Sequence, residues 1–181
     1  MAMMNIVGVP TPSLRTPSKK ILTSELTDPK LQSFMDDLIP TMYADEGIGI
    51  AAVQVAHNIR VCVIAKDAIP EHHELAGDDL ILLNPSCTKT SRKLVKLTEG
   101  CLSVPGAFGP VKRHRDILVH AMLRNGEEVS FEAHNFFARV IQHEIDHLNG
   151  ILFIDRADNL EEADHVRKVD FETILANIKP L

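Results

Sequence analysis

An apolar repeat with helical spacing is the feature that most constrains the fold of this 181-residue chain. Its members are Phe136, Phe137, Val140, Ile141, Ile145 and Leu148. The repeat stops at Asn149-Gly150, a pair typical of a helix end. Because a stripe this wide must be buried against another layer, we expect a central helix over these residues.

Other patterns predict the elements around this helix. Thr27-Asp28-Pro29 resembles a helix start, and apolar residues at helical spacing follow it up to Met42. Residues 59–65, 80–83 and 94–97 are short apolar runs that favour strands, with Asn84-Pro85 expected to end the second. Residues 116–124 and 127–133 flank Asn125-Gly126 and predict a hairpin with a two-residue turn.

The tail opens at Asp158 with a capping-box pattern, which predicts an amphipathic helix through Val166 and Ile178. The expected fold class is therefore α+β, in which antiparallel strands pack around the central helix, with an N-terminal helix and a C-terminal helix. We expect one domain over residues 1–181, in which 155–181 form the C-terminal helical tail.

Composition excludes several classes of protein. No run approaches the roughly 18 apolar residues of a membrane span, and the first ten residues lack the pattern of a targeting peptide. The net charge of −6 argues against a nucleic-acid surface. Three widely spaced cysteines fit reduced thiols better than disulfides, so we expect a cytoplasmic protein.

Residues 142–147 read Gln-His-Glu-Ile-Asp-His and place two histidines four residues apart on the predicted central helix. Side chains at this spacing lie about 40° apart around the axis and about 6 Å apart along it, so His143 and His147 can bind one metal ion. Glu144 is rotated too far for a comfortable third ligand, but it can act as a general base on a water at the metal. The alternative is two helix-face histidines that only hydrogen-bond to neighbours.

A hydrolytic metal site commonly holds three protein ligands, so a third is expected elsewhere. Cys101 is the first candidate, since glycine and proline shape the segment that surrounds it. As an alternative, a cysteine can be a small buried hydrophobe, the role expected of Cys62 and Cys87. Carboxylates after the helix are rival ligands, as in metallopeptidases of the His-Glu-x-x-His type; they are Asp155, Asp158, Glu161 and Glu162.

A third segment, residues 47–54, follows the first predicted helix and reads Gly-Ile-Gly-Ile-Ala-Ala-Val-Gln. Gly47 and Gly49 would let the backbone approach a ligand, and Gln54 could donate a hydrogen bond to a developing oxyanion. Glycines after a helix are also common in C-caps and turns, so this segment alone does not establish a site.

Taken in order, residues 47–54, 99–103 and 142–147 resemble the three signature segments of the peptide deformylases, and the likeness extends from about Pro10 to Asp155. The resemblance implies removal of the formyl group from the N-terminal formylmethionine of nascent polypeptides, with release of formate. It also implies one divalent metal ion per chain, natively Fe²⁺, with Zn²⁺, Ni²⁺ or Co²⁺ able to occupy the site. Transient proximity to the ribosome is expected, without direct binding of nucleic acid or membrane.

The same resemblance assigns nine residues to the site. They are Cys101, His143 and His147 for the metal, Glu144, Gln54 and Leu102 for catalysis, and Ile48, Gly49 and Val140 for the substrate. Glu144 would transfer protons, while the Gln54 amide and the Leu102 backbone N–H would stabilise the oxyanion. A non-catalytic binding protein of this kind would carry a broken motif, and the metal-binding and catalytic positions are all intact.

Four positions depart from the commonest pattern of the family. Ile50 replaces leucine, a volume-conserving change. Asn135 stands where glycine is usual, and asparagine tolerates a positive φ. Phe108 replaces a basic residue of many members, and Arg139 is apolar in some members and arginine in others. The resemblance assigns no role to Phe108 or Arg139.

Overall fold

The computed structural model describes residues 2–162 and 171–181, which form an α+β fold. The helices of these residues are α1 (Pro29–Ala44), α2 (Asn135–Leu148) and α3 (Phe171–Ala176). The strands are β1 (Gly49–Ala51), β2 (Val61–Ile64), β3 (Leu80–Lys89), β4 (Leu94–Glu99), β5 (Ala107–His114), β6 (Asp116–Met122), β7 (Glu128–His134) and β8 (Glu161–Glu162). None of the helices in this part of the chain is both long and apolar enough to cross a membrane.

A five-stranded antiparallel sheet in the order β1-β2-β3-β6-β7 lies between α1 and α2. The position of β2 in this sheet explains why apolar and polar residues do not alternate in its sequence. Val61 and Val63 belong to the cluster that contains the buried face of α1, whereas Cys62 and Ile64 belong to the cluster that contains α2. Since both faces of the sheet are covered, successive side chains are all buried.

A second antiparallel sheet, in the order β4-β5-β8, carries the segment around Cys101. This segment connects β4 to β5, and Val104 and Ala107 anchor it in a third apolar cluster with Leu152 and Phe153, which follow α2. The connection between the two strands is therefore held against the region that follows the central helix.

Both ends of α2 follow the sequence prediction. Asn135 opens the helix with a φ of 53°, which confirms that this asparagine adopts the left-handed conformation usual for glycine. Gly150, just beyond the C-cap Asn149, has a φ of 75°. At the other predicted helix, the side chain of Asp28 accepts a hydrogen bond from the backbone N–H of Lys30 and caps α1.

The structure corrects three predicted boundaries. Strand β3 does not end at Asn84-Pro85, because a bulge between Leu83 and Ser86 accommodates the proline, which has no N–H to donate. The hairpin turn has three residues, since the N–H of Leu123 donates to the carbonyl of Glu127 and Gly126 has a φ of 90°.

The third correction concerns the tail, where no helix begins at Asp158. Glu161 and Glu162 form β8 and pair with Phe108 and Ala107 of β5, so the capping-box pattern was misread. A short helix, α3, does follow in the described part of the tail, whereas Val166 lies outside the described residues.

Candidate active site

Three possible metal ligands come together from two elements. Helix α2 presents His143 and His147 with ring centroids 4.9 Å apart, and Cys101 approaches from the segment after β4. One ligand atom of each lies within 4.8 Å of the others, and Cys101 Sγ is 3.2 Å from His147 Nε2. A tetrahedral ion with typical bond lengths would hold sulfur and nitrogen about 3.5 Å apart, so these residues fit one divalent cation.

Glu99 orients one of these histidines. Its carboxylate can only accept, so the contact of 3.0 Å means that His143 Nδ1 donates to Glu99 and leaves Nε2 for a metal ion. Arg113 donates two hydrogen bonds of 3.0 and 2.8 Å to the same carboxylate, and it also forms an ion pair with Asp146 on α2. Sequence reasoning missed this network, although Glu99 lies two residues before Cys101 and Asp146 lies directly before His147.

Opposing effects set the protonation of the groups around the metal ligands. Burial would raise the pKa of Glu99, but hydrogen bonds from His143 and Arg113 outweigh burial and hold this pKa far below its usual range. Burial would lower the pKa of His143, but hydrogen bonds to Cys101 and Glu99 raise it to about 10. Burial and the nearby His143 lower the pKa of His147 well below its usual value. Metal binding to neutral imidazole therefore displaces a proton from His143.

Glu144 lies against a glycine of the neighbouring strand. A Cβ atom added to Gly49 would be 2.5 Å from Glu144 Oε1, so the absence of a side chain at this position makes room for the carboxylate. Glu144 is 3% exposed, and its Oε2 atom has no hydrogen-bond partner among the described residues. Burial raises the pKa of this carboxyl group to about 7.

Gln54 directs its amide nitrogen toward Cys101. Its Oε1 atom accepts from the backbone N–H of Ala51 at 2.8 Å, which fixes the orientation of the amide. Its Nε2 atom lies 3.2 Å from Ser103 Oγ and 3.7 Å from Cys101 Sγ. The Leu102 N–H donates to no described residue, whereas the Gln54 amide already donates to Ser103 and Cys101.

The other predicted substrate residues differ in exposure. Ile48 is 45% exposed directly before β1, whereas Val140 is buried in the cluster between α2 and the five-stranded sheet. The ring of Phe108 lies over the backbone of Gly100, where an added Cβ would be 2.5 Å from the ring. Phe108, which is 39% exposed, therefore borders the Cys101 segment.

Two of the four rival third ligands are ion-paired elsewhere, since Asp155 pairs with Arg15 and Asp158 pairs with Lys96 at 2.7 Å. The other two, Glu161 and Glu162, are exposed on β8. Within the described ranges, Cys101, His143 and His147 are the group whose atoms could hold an ion. Of the remaining thiols, Cys62 is fully buried and Cys87 is half-buried, and burial raises the pKa of both.

Comparisons with known proteins identify relatives that match most of the chain. Residues 3–163 match the family model described as polypeptide deformylase. A peptide deformylase of Hydrogenovibrio crunogenus is 41% identical over 168 residues, which are 93% of this chain and 94% of the relative. Peptide deformylase 1 of Vibrio vulnificus is 40% identical over 171 residues, which are 93% of this chain and 95% of that protein.

Solved structures are similar over most of the chain. The actinonin complex of the Ehrlichia chaffeensis peptide deformylase has a TM-score of 0.78 and 35% identity, and it covers 97% of this chain and 94% of its own. The class I type b peptide deformylase of Acinetobacter baumannii with Met-Ala-Ser bound has a TM-score of 0.78 and 32% identity, and it covers 86% of this chain and 98% of its own.

Proposed function

The chain belongs to the polypeptide deformylase family, and from that premise we propose which of its residues carry out the reaction. The activity is that of a metal-dependent hydrolase that removes the formyl group from the N-terminal formylmethionine of nascent polypeptides. The oxygen of water bonds to the formyl carbon, the bond from this carbon to nitrogen breaks, and formate and a free amino group result.

The proposal depends on one observation: a thiol and two imidazoles lie close enough to bind one ion, and the buried side chains of Glu144 and Gln54 lie next to them. Cys101, His143 and His147 supply the ligands, one ion per chain. Such a donor set accepts Zn²⁺, Ni²⁺ or Co²⁺ as well as Fe²⁺, which we propose as the native ion. When bound, the ion lowers the pKa of a water molecule and polarises the formyl oxygen.

Glu144 moves the protons. We assign it to take a proton from the attacking water and to deliver a proton to the departing amine nitrogen. Its position supports this assignment, because the carboxylate is buried beside the ligand histidines and one oxygen has no partner among the described residues. One carboxylate thus serves as base and then as acid.

The Gln54 amide and the Leu102 backbone N–H stabilise the negative charge that develops on the formyl oxygen. Gln54 suits this role because the hydrogen bond from Ala51 holds its carbonyl end away from the site. Ile48 and Gly49 contact the peptide backbone, and Val140 lines the pocket for the methionine side chain.

The substrates are nascent formyl-Met peptides, and a relative with Met-Ala-Ser bound supports a peptide of this length as a probe. We propose that the protein acts in the cytoplasm, in transient proximity to the ribosome. The net charge of −6 supports encounters that do not depend on direct binding of RNA.

The decisive experiment is to purify the protein without air, measure its bound metal and follow formate release from formyl-Met-Ala-Ser. We expect about one metal ion per chain and rapid release, with no formate from the acetylated control peptide. Bound metal without formate release in a folded sample would contradict the proposal. Cys101→Ser should lose metal and activity, whereas a metallopeptidase with a carboxylate ligand would keep both.

The proposed native metal has its own test. The Fe²⁺ form should lose activity in air, because the iron oxidises or the Cys101 thiolate is oxidised, whereas a Ni²⁺ form should retain activity. The measurement is the half-life of formate release for both forms in air and under nitrogen. An equal loss of activity by the two forms in air would argue against Fe²⁺ as the cause of the air sensitivity.

A further inference from the structure

Arg139 is a buried arginine that the reaction does not use directly. Its side chain is 7% exposed, and it lies on α2 one turn before His143. Its three acceptors all belong to the hairpin of β4 and β5: Glu99 Oε1 at 2.5 Å, the carbonyl of Val95 at 2.6 Å and the carbonyl of Val111 at 3.1 Å. One guanidinium thus bridges the central helix and both strands of the hairpin.

The hairpin and the helix carry different ligands of the metal site. Strand β4 leads through Gly100 into Cys101, whereas α2 holds both histidines. Other side-chain contacts of α2 reach β5, where Gln142 bonds the backbone of His114 and Asp146 pairs with Arg113. Within the described ranges, Arg139 and the ligand His143 are the α2 side chains that hydrogen-bond directly to β4.

Glu99 is the point where these contacts meet. It accepts two hydrogen bonds from Arg113 on β5, one from Arg139 on α2 and one from His143. Arg113 alone occupies both oxygens and holds the carboxylate in place on the hairpin. The added contact from Arg139 fixes this carboxylate relative to the helix, because a guanidinium donates in several fixed directions at once.

We propose that Arg139 is a positioning residue, which sets the distance between Cys101 and the two histidines and thereby how long the site retains its metal ion. This inference rests on the proposed ligand set. Without Arg139, Gln142 and Asp146 still join α2 to β5. Strand β4, which leads into Cys101, loses its Val95 contact and keeps only the contact of Glu99 with His143 as a direct side-chain bond to the helix among the described residues. Partners of this kind commonly change metal affinity by 10- to 100-fold.

The test compares Co²⁺-loaded protein with its Arg139→Met variant, which keeps an unbranched apolar side chain and removes the donors. We expect Co²⁺ to be lost to excess EDTA about 10- to 100-fold faster, with a changed visible spectrum of the bound ion. For deformylation, kcat should fall while KM for formyl-Met-Ala-Ser stays within about twofold, because Arg139 does not touch the substrate.

Arg60→Met is the matched control. Arg60 also joins α2 to a strand by three hydrogen bonds, to the carbonyl of Leu148, to Asn149 Oδ1 and to the carbonyl of Pro85 in β3, but it bonds to no residue of the hairpin. This variant should lose stability while its Co²⁺ spectrum and rate of Co²⁺ loss match those of the original protein. A similar acceleration in both variants would assign the effect to general destabilisation and would overturn the proposal.

Two further outcomes are decisive. An unchanged spectrum and rate of Co²⁺ loss in a folded Arg139→Met protein would overturn the role of Arg139, whereas failure of the unaltered protein to bind Co²⁺ would overturn the ligand set itself. If Arg139→Met does not fold, Arg139→Lys decides. Its shorter side chain keeps the charge but cannot reach all three acceptors, so loss should still be several-fold faster, and an unchanged rate would reject the proposal.

Discussion

At the scale of single residues, the surroundings of two buried glutamates, Glu99 and Glu144, shift their pKa values in opposite directions. Glu99 accepts hydrogen bonds from two arginines and a histidine, which keep it ionised. Glu144 has no such partners, and burial raises its pKa to about 7. A carboxylate that stays ionised is suited to orienting His143, whereas one that titrates near neutrality is suited to proton transfer.

Replacement of Glu144 by alanine should separate metal binding from turnover. We expect the variant to keep about one metal ion per chain while kcat falls by about 10²- to 10⁴-fold, the usual contribution of a general acid or base. Metal analysis and formate release from the same sample measure both effects. His143→Ala serves as the contrast, since it should lose metal and activity together; a nearly full rate for Glu144→Ala would refute the assigned role.

Gly49→Ala should reduce activity far more than its modest effect on stability explains. The added methyl group would overlap Glu144 Oε1, and the end of a flexible side chain moves more easily than backbone. A displacement of about 1 Å at a reacting group can cost about 10²-fold in rate. We expect kcat to fall by that order, while the free energy of unfolding falls by about 1 to 3 kcal/mol, the usual cost of overpacking a buried position.

Ile50→Val is the control for Gly49→Ala. Ile50 is the next residue of β1, but it belongs to the apolar cluster that contains α1, away from Glu144. This variant should lose about 0.5 to 1.5 kcal/mol of stability and keep its rate. If Gly49→Ala instead unfolds readily and Ile50→Val is equally slow, the effect belongs to the strand and not to the position of Glu144.

At the scale of elements, the predictions hold where one local pattern decides the structure. Helices α1 and α2 follow from apolar spacing with clear ends, and β2 follows from a short apolar run. Strand β3 continues past Asn84-Pro85 because a bulge and the hydrogen bonds between Asn84 and Ile21 stabilise the irregularity. Glu161 becomes part of β8 because β5 offers it an edge, which local sequence does not reveal.

The start of α2 gives an element-scale prediction. Asn135 has a φ of 53°, a conformation that costs little for glycine or asparagine and about 1 to 3 kcal/mol for most other residues. Asn135→Gly should therefore stay within about 0.5 kcal/mol of the original stability, while Asn135→Val should lose about 1 to 3 kcal/mol. Urea unfolding of both variants measures the difference, and equal stability would show that the backbone conformation at this position is not under strain.

At the scale of the whole molecule, the candidate site joins parts of the chain that sequence reasoning treats separately. The spacing of His143 and His147 predicts their convergence, because both lie on one helix. No local pattern places Cys101 beside them, since it comes from the second sheet. The glycine and proline around Cys101 made it the first candidate for the third ligand, and the family resemblance then assigned it that role. The contacts of Arg139 were beyond both kinds of reasoning, because they depend on how the hairpin lies against α2.

Since the three ligands lie on two elements, a bound ion should stabilise the molecule as well as activate it. An ion present at about 100 times its dissociation constant adds about 2.7 kcal/mol to the folded state, provided it does not bind the unfolded chain. For a chain of this size, that corresponds to a rise in Tm of about 5 to 10 °C. Calorimetry of the metal-free protein with and without Ni²⁺ measures the rise in Tm. The Cys101→Ser variant should show a smaller rise, because the ion then no longer links the second sheet to α2. An equal rise in both proteins would mean that the ion is held by α2 alone and that Cys101 contributes nothing to its binding.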